Sequence, residues 1–151
     1  MTLVCLDASV IVKVLTREEG TEAASALVQG LAKAARSVVL PDLALIEVGG
    51  VLRQKVCRNL LDSEQAEKAW KLFRRLKLVR YLEADKYADR AWSISKEFGF
   101  PVLYDAAYLA VSELVSEESG DACEFWTADK KLFDSIKQRK AYARLLAQSP
   151  F

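Results

Sequence analysis

Short, mostly apolar runs alternate with stretches of helical periodicity along most of the chain. Runs of four or five residues bounded by charged or turn-forming residues are typical of strands that are buried in a parallel sheet. Four such runs cover residues 3–6, 37–40, 78–82 and 123–127, and a weaker run at 143–146 predicts a last edge strand.

The intervening segments repeat their apolar residues at helical spacing. A first helix is predicted from Ala8, and Gly20 separates it from the second. Further helices are predicted over 21–35, from Pro41 to about 58, from the N-cap Asp62 to about 76, over 84–98, over 105–115, and in one or two short turns after Asp129.

Strands that alternate with helices predict an α/β fold. We expect a three-layer sandwich in which a parallel sheet of four to five short strands has helices on both faces, formed by one domain over residues 1–151. In such sheets the functional crevice lies beyond the carboxyl ends of the strands, near a topological switch point.

The composition narrows the chemistry that the chain can perform. Its 151 residues are 52% hydrophobic, enough for the core of one domain, and its net charge of +1 argues against a uniformly basic surface for nucleic acids. The sequence has no histidine, so the commonest general base and the usual zinc ligand are both absent. Catalysis must therefore use carboxylates, hydroxyls, lysines or metal ions.

The sequence also predicts a cytoplasmic location. No basic segment precedes the apolar run at 3–6, so a signal peptide is not expected, and no uncharged run approaches the ~20 residues of a membrane helix. The three cysteines, Cys5, Cys57 and Cys123, are odd in number and lie among apolar neighbours, as expected of buried reduced thiols.

Two acids stand where the strand rule places a functional crevice. Asp7 directly follows the first strand, and Asp129 follows the fourth by two residues. Each also has a plain structural interpretation, because an acid at a helix start can be a helix cap and no more.

Two further acids lie in apolar surroundings. Glu47 projects from a segment, 43–52, that is otherwise apolar or glycine, and an ionised carboxylate there needs a partner or a metal. Gly49 and Gly50 weaken that helix, which indicates close approach by another element. Asp105 is the only charge between Pro101 and Val111, although it too could be a cap. Together the four acids predict a hard, oxygen-rich site suited to Mg²⁺ or Mn²⁺.

Four motifs resemble those of PIN-domain proteins in order and spacing over nearly the whole chain. They are LDASVIVK at 6–13, EVGGVLR at 47–53, YDAAYLA at 104–110 and WTADKKL at 126–132. The resemblance is greatest to small VapC-type toxins of prokaryotic toxin–antitoxin pairs. Gly50 departs from the pattern, since relatives often carry a polar side chain such as asparagine there.

This resemblance implies an endoribonuclease that hydrolyses RNA phosphodiester bonds with a metal-activated water. Asp7 and Asp105 would be the principal ligands of one or two Mg²⁺ or Mn²⁺ ions, and Glu47 and Asp129 would complete the site directly or through water. The family also implies a homodimer and a small antitoxin protein that blocks the cleft.

Hydroxyl and basic residues near the acids are candidates for supporting roles. Ser9 and Thr127 would orient the ligands or the water, although both residue types are also common at helix and strand ends. Lys130 and Lys131, beside Asp129, and Arg53, on the Glu47 helix, are the candidates for binding the RNA backbone.

Other functions fit the sequence less well. Aspartate-nucleophile phosphatases need a second acid two residues after the first, where this chain has Ser9, and a receiver domain would not need Glu47. A non-catalytic protein-binding module of the same fold would be expected to lose site acids, and none is lost. An RNA-processing nuclease without a toxin role stays open.

Overall fold

The computed structural model describes residues 2–146, which form five strands and seven helices. The strands are β1 (Leu3–Leu6), β2 (Ser37–Pro41), β3 (Val79–Leu82), β4 (Glu124–Thr127) and β5 (Ala143–Leu145). The helices are α1 (Ala8–Leu15), α2 (Thr21–Lys33), α3 (Ala44–Cys57), α4 (Ser63–Arg74), α5 (Ala84–Phe98), α6 (Tyr104–Ser119) and α7 (Lys130–Ile136). None of these seven helices is both long enough and apolar enough to cross a membrane.

All five strands run parallel in one sheet, in the order β3-β2-β1-β4-β5. From β1 at the centre the chain moves outward through β2 to β3, and it then returns to the other side of β1 to form β4 and β5. The direction of winding therefore reverses between β1 and β4, whose carboxyl ends flank the switch point. The predicted parallel α/β fold is confirmed, with the fifth strand included.

Helices cover both faces of the sheet, as the alternation along β1 shows. The Cys5 thiol donates to the carbonyl of Tyr108 in α6, whereas the next residue, Leu6, lines an apolar cavity with Ile11 of α1 and Phe73 of α4. Because successive side chains of a strand point to opposite faces, α6 and α1 lie on opposite sides of β1. Residues 106–112 of α6 are all buried, since α5 covers the side of α6 away from the sheet.

Pro41 was predicted in the first turn of a helix, and this prediction is wrong. It ends β2 opposite Leu82 of β3, and α3 begins three residues later. Proline fits an extended strand end because its fixed φ suits that conformation. The next backbone donor is not lost, because the N–H of Asp42 donates to the Leu82 carbonyl at 2.9 Å.

The glycine pair of α3 meets the expectation of close approach at one position only. A Cβ on Gly49 would lie 3.0 Å from the Trp70 ring of α4, so a glycine here lets the two helices pack closely. A Cβ on Gly50 would meet nothing within 4 Å.

Of the three cysteines, Cys5 and Cys123 are buried free thiols as predicted, but Cys57 at the end of α3 is exposed.

Candidate active site

The four acids singled out from the sequence line one cleft of about 420 Å³ at the carboxyl end of the sheet, and Glu18 is a fifth acid in its lining. Asp7 follows β1 and Asp129 follows β4, on the two sides of the switch point. Glu47 and Asp105 lie in the first turns of α3 and α6. The structure thus brings together the four acids that were singled out from the sequence.

Asp7 is the most buried of the four, with 6% of its surface exposed. It occupies the N-cap position of α1, yet its side chain makes no capping hydrogen bond. Its Oδ2 instead accepts hydrogen bonds from the hydroxyls of Ser9 and Thr127, each at 2.8 Å. The carboxylate is therefore held between the first turn of α1 and the end of β4.

The two hydroxyls also fix the backbone that follows β4. Ser9 Oγ accepts from the N–H of Ala128 at 3.1 Å, and Thr127 Oγ1 accepts from the N–H of Asp129 at 3.0 Å. Each hydroxyl uses its proton on Asp7, so both accept and donate at once. We call this arrangement of Asp7, Ser9 and Thr127 the hydroxyl clamp. It holds the Asp7 carboxylate and the start of the Asp129 segment in one geometry.

Burial and mutual repulsion raise the pKa values of three of these acids, Asp7, Glu47 and Asp105. Burial raises the pKa of Asp7 although hydrogen bonds from Ser9 and Thr127 oppose that shift. Burial, followed by the charges of Asp7 and Asp105, raises the pKa of Glu47 to about 7. Burial, with the charges of Asp7 and Asp129, raises the pKa of Asp105 to about 6. Repulsion among the carboxylates therefore destabilises their ionised forms when no cation is bound.

Tyr108 is a site residue that the sequence reasoning did not single out. It is fully buried in α6, and its hydroxyl donates to Glu47 Oε1 at 3.4 Å. Burial, followed by the Glu47 charge, raises the pKa of Tyr108, so the phenol stays protonated as a donor. Its position three residues after Asp105, on the same helix face, is the signal that would have identified it.

Asp129 has both of the roles that the sequence left open. Its Oδ1 accepts from the N–H of Leu132 at 3.1 Å and so caps α7. The same side chain lines the cleft. A carboxylate has several acceptor positions, so capping one backbone donor leaves capacity for another partner.

The donor set of the cleft suits a hard divalent cation such as Mg²⁺ or Mn²⁺, which prefers carboxylate oxygens. The raised pKa values of Glu47 and Asp105 support this match, because a cation would relieve the repulsion that causes part of both shifts. Across residues 2–146, no three acidic or cysteine side chains are already grouped closely enough to ligate one ion together.

The predicted RNA-binding residues lie outside the cleft. Arg53 lines a separate groove between α3 and α4. Lys130 pairs with Asp134 at 2.6 Å on the exposed side of α7, and Lys131 is exposed next to it. The basic residues that do line the cleft are Lys13 and Lys55.

The positions of Lys13 and Lys55 in the cleft follow from helix geometry that the sequence analysis did not use. Lys13 stands four residues after Ser9 on α1, and Lys55 stands eight residues, or about two turns, after Glu47 on α3. Both pair with Glu18 in the loop between α1 and α2. The α1–α2 loop thus supplies the carboxylate that pairs with both lysines of the cleft.

The sequence profile of the PIN domain matches residues 4–138. The chain belongs to the PIN domain family. PIN domains form a family of nucleases, so the resemblance drawn from the four motifs is confirmed at the level of the family. No curated protein matches the sequence significantly.

Solved structures share this PIN fold at low sequence identity. A toxin–antitoxin complex from Klebsiella pneumoniae matches with a TM-score of 0.66 and 14% identity, over 96% of this chain and 98% of that chain. PAE2754 from Pyrobaculum aerophilum matches with a TM-score of 0.60 and 20% identity, over 89% and 79%. VapBC2 from Rickettsia felis, bound to a DNA fragment from its promoter, gives 0.60 and 13%, over 97% and 100%. At these low identities, the structural matches show that the fold is shared.

Proposed function

We propose that this PIN domain is a metal-dependent endoribonuclease that hydrolyses RNA phosphodiester bonds. The observation that carries the proposal is the cleft in which Asp7, Glu47, Asp105 and Asp129 converge from four separate segments. The pKa values of Glu47 and Asp105 are raised to about 7 and about 6, in part by the charges of neighbouring acids, and a bound cation would relieve that repulsion.

The cation in this proposal is Mg²⁺ or Mn²⁺. Asp7 and Asp105 are the principal ligands, and Glu47 and Asp129 complete the site directly or through water. When bound, such an ion lowers the pKa of a water molecule and neutralises charge on the scissile phosphate.

The remaining residues of the cleft orient these acids. Ser9 and Thr127 both donate to one oxygen of Asp7, which leaves the other oxygen, Oδ1, free of that clamp. Tyr108 donates to Glu47 and so limits the rotation of its carboxylate. All three groups act by positioning a carboxylate.

The RNA strand would extend beyond the cleft over basic side chains. Lys130 and Lys131 follow Asp129 directly, and both are exposed. Arg53 borders the neighbouring groove, which is also lined by Trp70 of α4. We keep these three as candidates for phosphates distant from the site of cleavage.

We also propose that the protein is the toxin of a toxin–antitoxin pair, located in the cytoplasm and inhibited by a small antitoxin protein. The fold that it shares with two toxin–antitoxin assemblies supports this role. A homodimer is part of the proposal. Its support is an exposed apolar patch next to the acids, formed by Ile46, Val102 and Tyr104.

The nuclease proposal is tested by incubating the purified protein with single-stranded RNA. Cleavage should require Mg²⁺ or Mn²⁺ and stop with EDTA, and Asp105→Asn should abolish it without loss of fold. The matched control is Asp85→Asn, the same change in the first turn of α5 on the surface. Cleavage that survives both chelation and Asp105→Asn would refute the mechanism.

The toxin role needs a separate test, because an RNA-processing nuclease would pass the first one. Expression of the wild-type protein alone should arrest growth, and expression of Asp105→Asn should not. Unaffected growth together with RNA cleavage in vitro would favour RNA processing.

A further inference from the structure

One side of the acidic cleft is basic, and the proposed chemistry does not use it. We call this side, formed by Lys13, Lys55 and Glu18, the basic wall. Lys55 Nζ donates to Glu18 Oε2 at 2.6 Å, and Lys13 Nζ donates to Oε1 of the same carboxylate at 3.3 Å. The lysine side chains are 20% and 22% exposed, so both are accessible from the cleft that they line. One carboxylate thus holds two ammonium groups from two different helices.

The loop between α1 and α2 is shaped around this arrangement. The hydroxyl of Thr21 accepts from the N–H of Glu18 at 2.9 Å and donates to the carbonyl of Thr16 at 2.9 Å. Gly20 has φ of +89°, and a Cβ there would lie 3.0 Å from Cδ of Lys13. Backbone conformation and close approach therefore both favour glycine at this position. The loop fixes Glu18 and also packs along Lys13.

The wall retains the capacity to bind an anion. Its two lysines and one glutamate leave it with a net positive charge. Burial alone would raise the pKa of Glu18, but hydrogen bonds from Lys55 and Lys13 outweigh it and lower that pKa, so Glu18 stays ionised. Lys13 also donates to the Glu19 carbonyl at 2.7 Å. Of the six N–H donors of the two ammonium groups, these contacts among the described residues use three.

The distance between the two lysines and the acidic site indicates which anion the lysines would bind. Lys13 is one turn from Ser9 along α1, or about 6 Å, and Lys55 is two turns from Glu47 along α3, or about 12 Å. Side chains on a helix lean toward its N-terminus, which here is the end that carries the acids. A ligand on the wall would therefore lie beside the reacting group.

We propose that Lys13 and Lys55, held together by Glu18, bind a backbone phosphate of the RNA strand that flanks the scissile phosphate. This inference rests on the nuclease function proposed above and adds a subsite to it. Glu18 is a positioning residue, because it contacts the lysines and not the RNA.

The test measures how RNA affinity depends on salt. A fluorescent single-stranded RNA oligonucleotide is titrated in Mg²⁺ at several NaCl concentrations with Asp105→Asn as the parent, which keeps the RNA intact. Each lost phosphate contact should reduce the slope of log K against log salt by about 0.7. Because Lys13 and Lys55 contact the same phosphate, we expect the double variant to lower the slope by about 0.7 and each single variant to lower it by part of that amount.

The matched control is Lys71→Gln. Lys71 pairs with Glu67 at 3.6 Å on α4 and does not line the cleft, so its slope should equal that of the parent. Thermal melts verify the fold of each variant. If Lys13→Gln does not fold, Lys55→Gln repeats the test from a different helix.

The outcomes separate this subsite from the nuclease function. Slopes that match the control, in a protein whose wild type cleaves RNA, would overturn the subsite alone. A wild type that fails to cleave RNA, with slopes that still fall in the lysine variants, would refute the nuclease and support the subsite as a binding site.

Glu18→Gln tests the positioning role by the sign of its effect. The substitution makes the wall more positive by one charge, so long-range attraction alone predicts tighter binding of RNA. Positioning predicts the opposite, a several-fold loss of affinity with a smaller salt slope, because the two lysines lose their common partner. Tighter binding by Glu18→Gln would overturn the positioning role.

Discussion

The metal-free protein should lose stability as the pH rises from 5 to 8, and Glu47 should account for a measurable part of the loss. Burial, with the charges of Asp7 and Asp105, raises the pKa of this carboxyl from 4.5 to about 7. In the unfolded chain it releases its proton near pH 4.5, so between the two values the native state binds more protons. Raising the pH through this window favours the unfolded state.

The size of the pKa difference sets the magnitude. A difference of this size corresponds to about 3 kcal/mol for a fully buried group. Glu47 is only partly buried, so solvent screening reduces the expected destabilisation to about 1 kcal/mol. The effect should be absent below pH 4.5, where the carboxyl is protonated in both states, and complete at pH 8. It corresponds to a melting temperature lower by about 2–4 °C in a chain of this length.

The assay is urea unfolding in EDTA at pH 5 and pH 8, followed by circular dichroism. Glu47→Gln cannot ionise, so its unfolding free energy should fall by about 1 kcal/mol less than that of the wild type over this interval. The control is Glu64→Gln, an exposed glutamate of α4, which should behave like the wild type. Mg²⁺ at pH 8 should restore wild-type stability. An identical pH dependence in the wild type and Glu47→Gln would refute the reasoning.

Three further predictions concern the metal, the helices and assembly. Asp7→Asn should leave the metal-free melting temperature unchanged or raised, because asparagine accepts the same hydroxyl bonds without charge. It should also remove most of the Mn²⁺ stabilisation, which for the wild type is about 2.7 kcal/mol at a hundred times Kd; a retained Mn²⁺ shift would contradict a metal role for Asp7. Gly50→Ala should stabilise the protein by up to about 1 kcal/mol in urea unfolding. Gly49→Ala should be clearly less stable than Gly50→Ala, because its Cβ would meet Trp70 at 3.0 Å, and equal stabilities would argue against that contact. Ile46→Asp should convert the proposed dimer to a monomer in light scattering, whereas a monomeric wild type at micromolar concentration would contradict the dimer.

The acids of the cleft were predictable because each breaks a local pattern. Asp7 interrupts an apolar strand at its carboxyl end, and Glu47 is a charge in an otherwise apolar helix segment. Parallel strands present their carboxyl ends at the same edge, so topology alone brings Asp7 and Asp129 together. These signals need neither side-chain orientation nor the path of a loop.

The basic residues were harder to predict because their positions depend on helix phase and on a loop. Arg53 is six residues after Glu47, which rotates it about 120° away around α3, whereas Val51 and Lys55 continue the cleft face turn by turn. Sequence proximity suggested Arg53 and helix geometry favours Lys55. Glu18 has no periodic pattern, and its contact with Lys55 depends on how the α1–α2 loop folds.

The pairing of Pro41 shows a different limit. A proline before an apolar segment fits the first turn of a helix and the end of a strand equally well. Its strand partner, Leu82, lies 41 residues further along the chain, so local sequence could not decide between the two.

The hydroxyl clamp joins groups that are 120 residues apart, and this separation has a consequence during protein synthesis. A nascent chain that has emerged as far as α6 has β1, β2 and β3 but lacks the strand that supplies Thr127 and the segment of Asp129. Asp7 then has no partner across the switch point, and one wall of the cleft does not exist. The nuclease proposed here therefore has no completed site that could act on the translating ribosome until β4 and Asp129 have emerged.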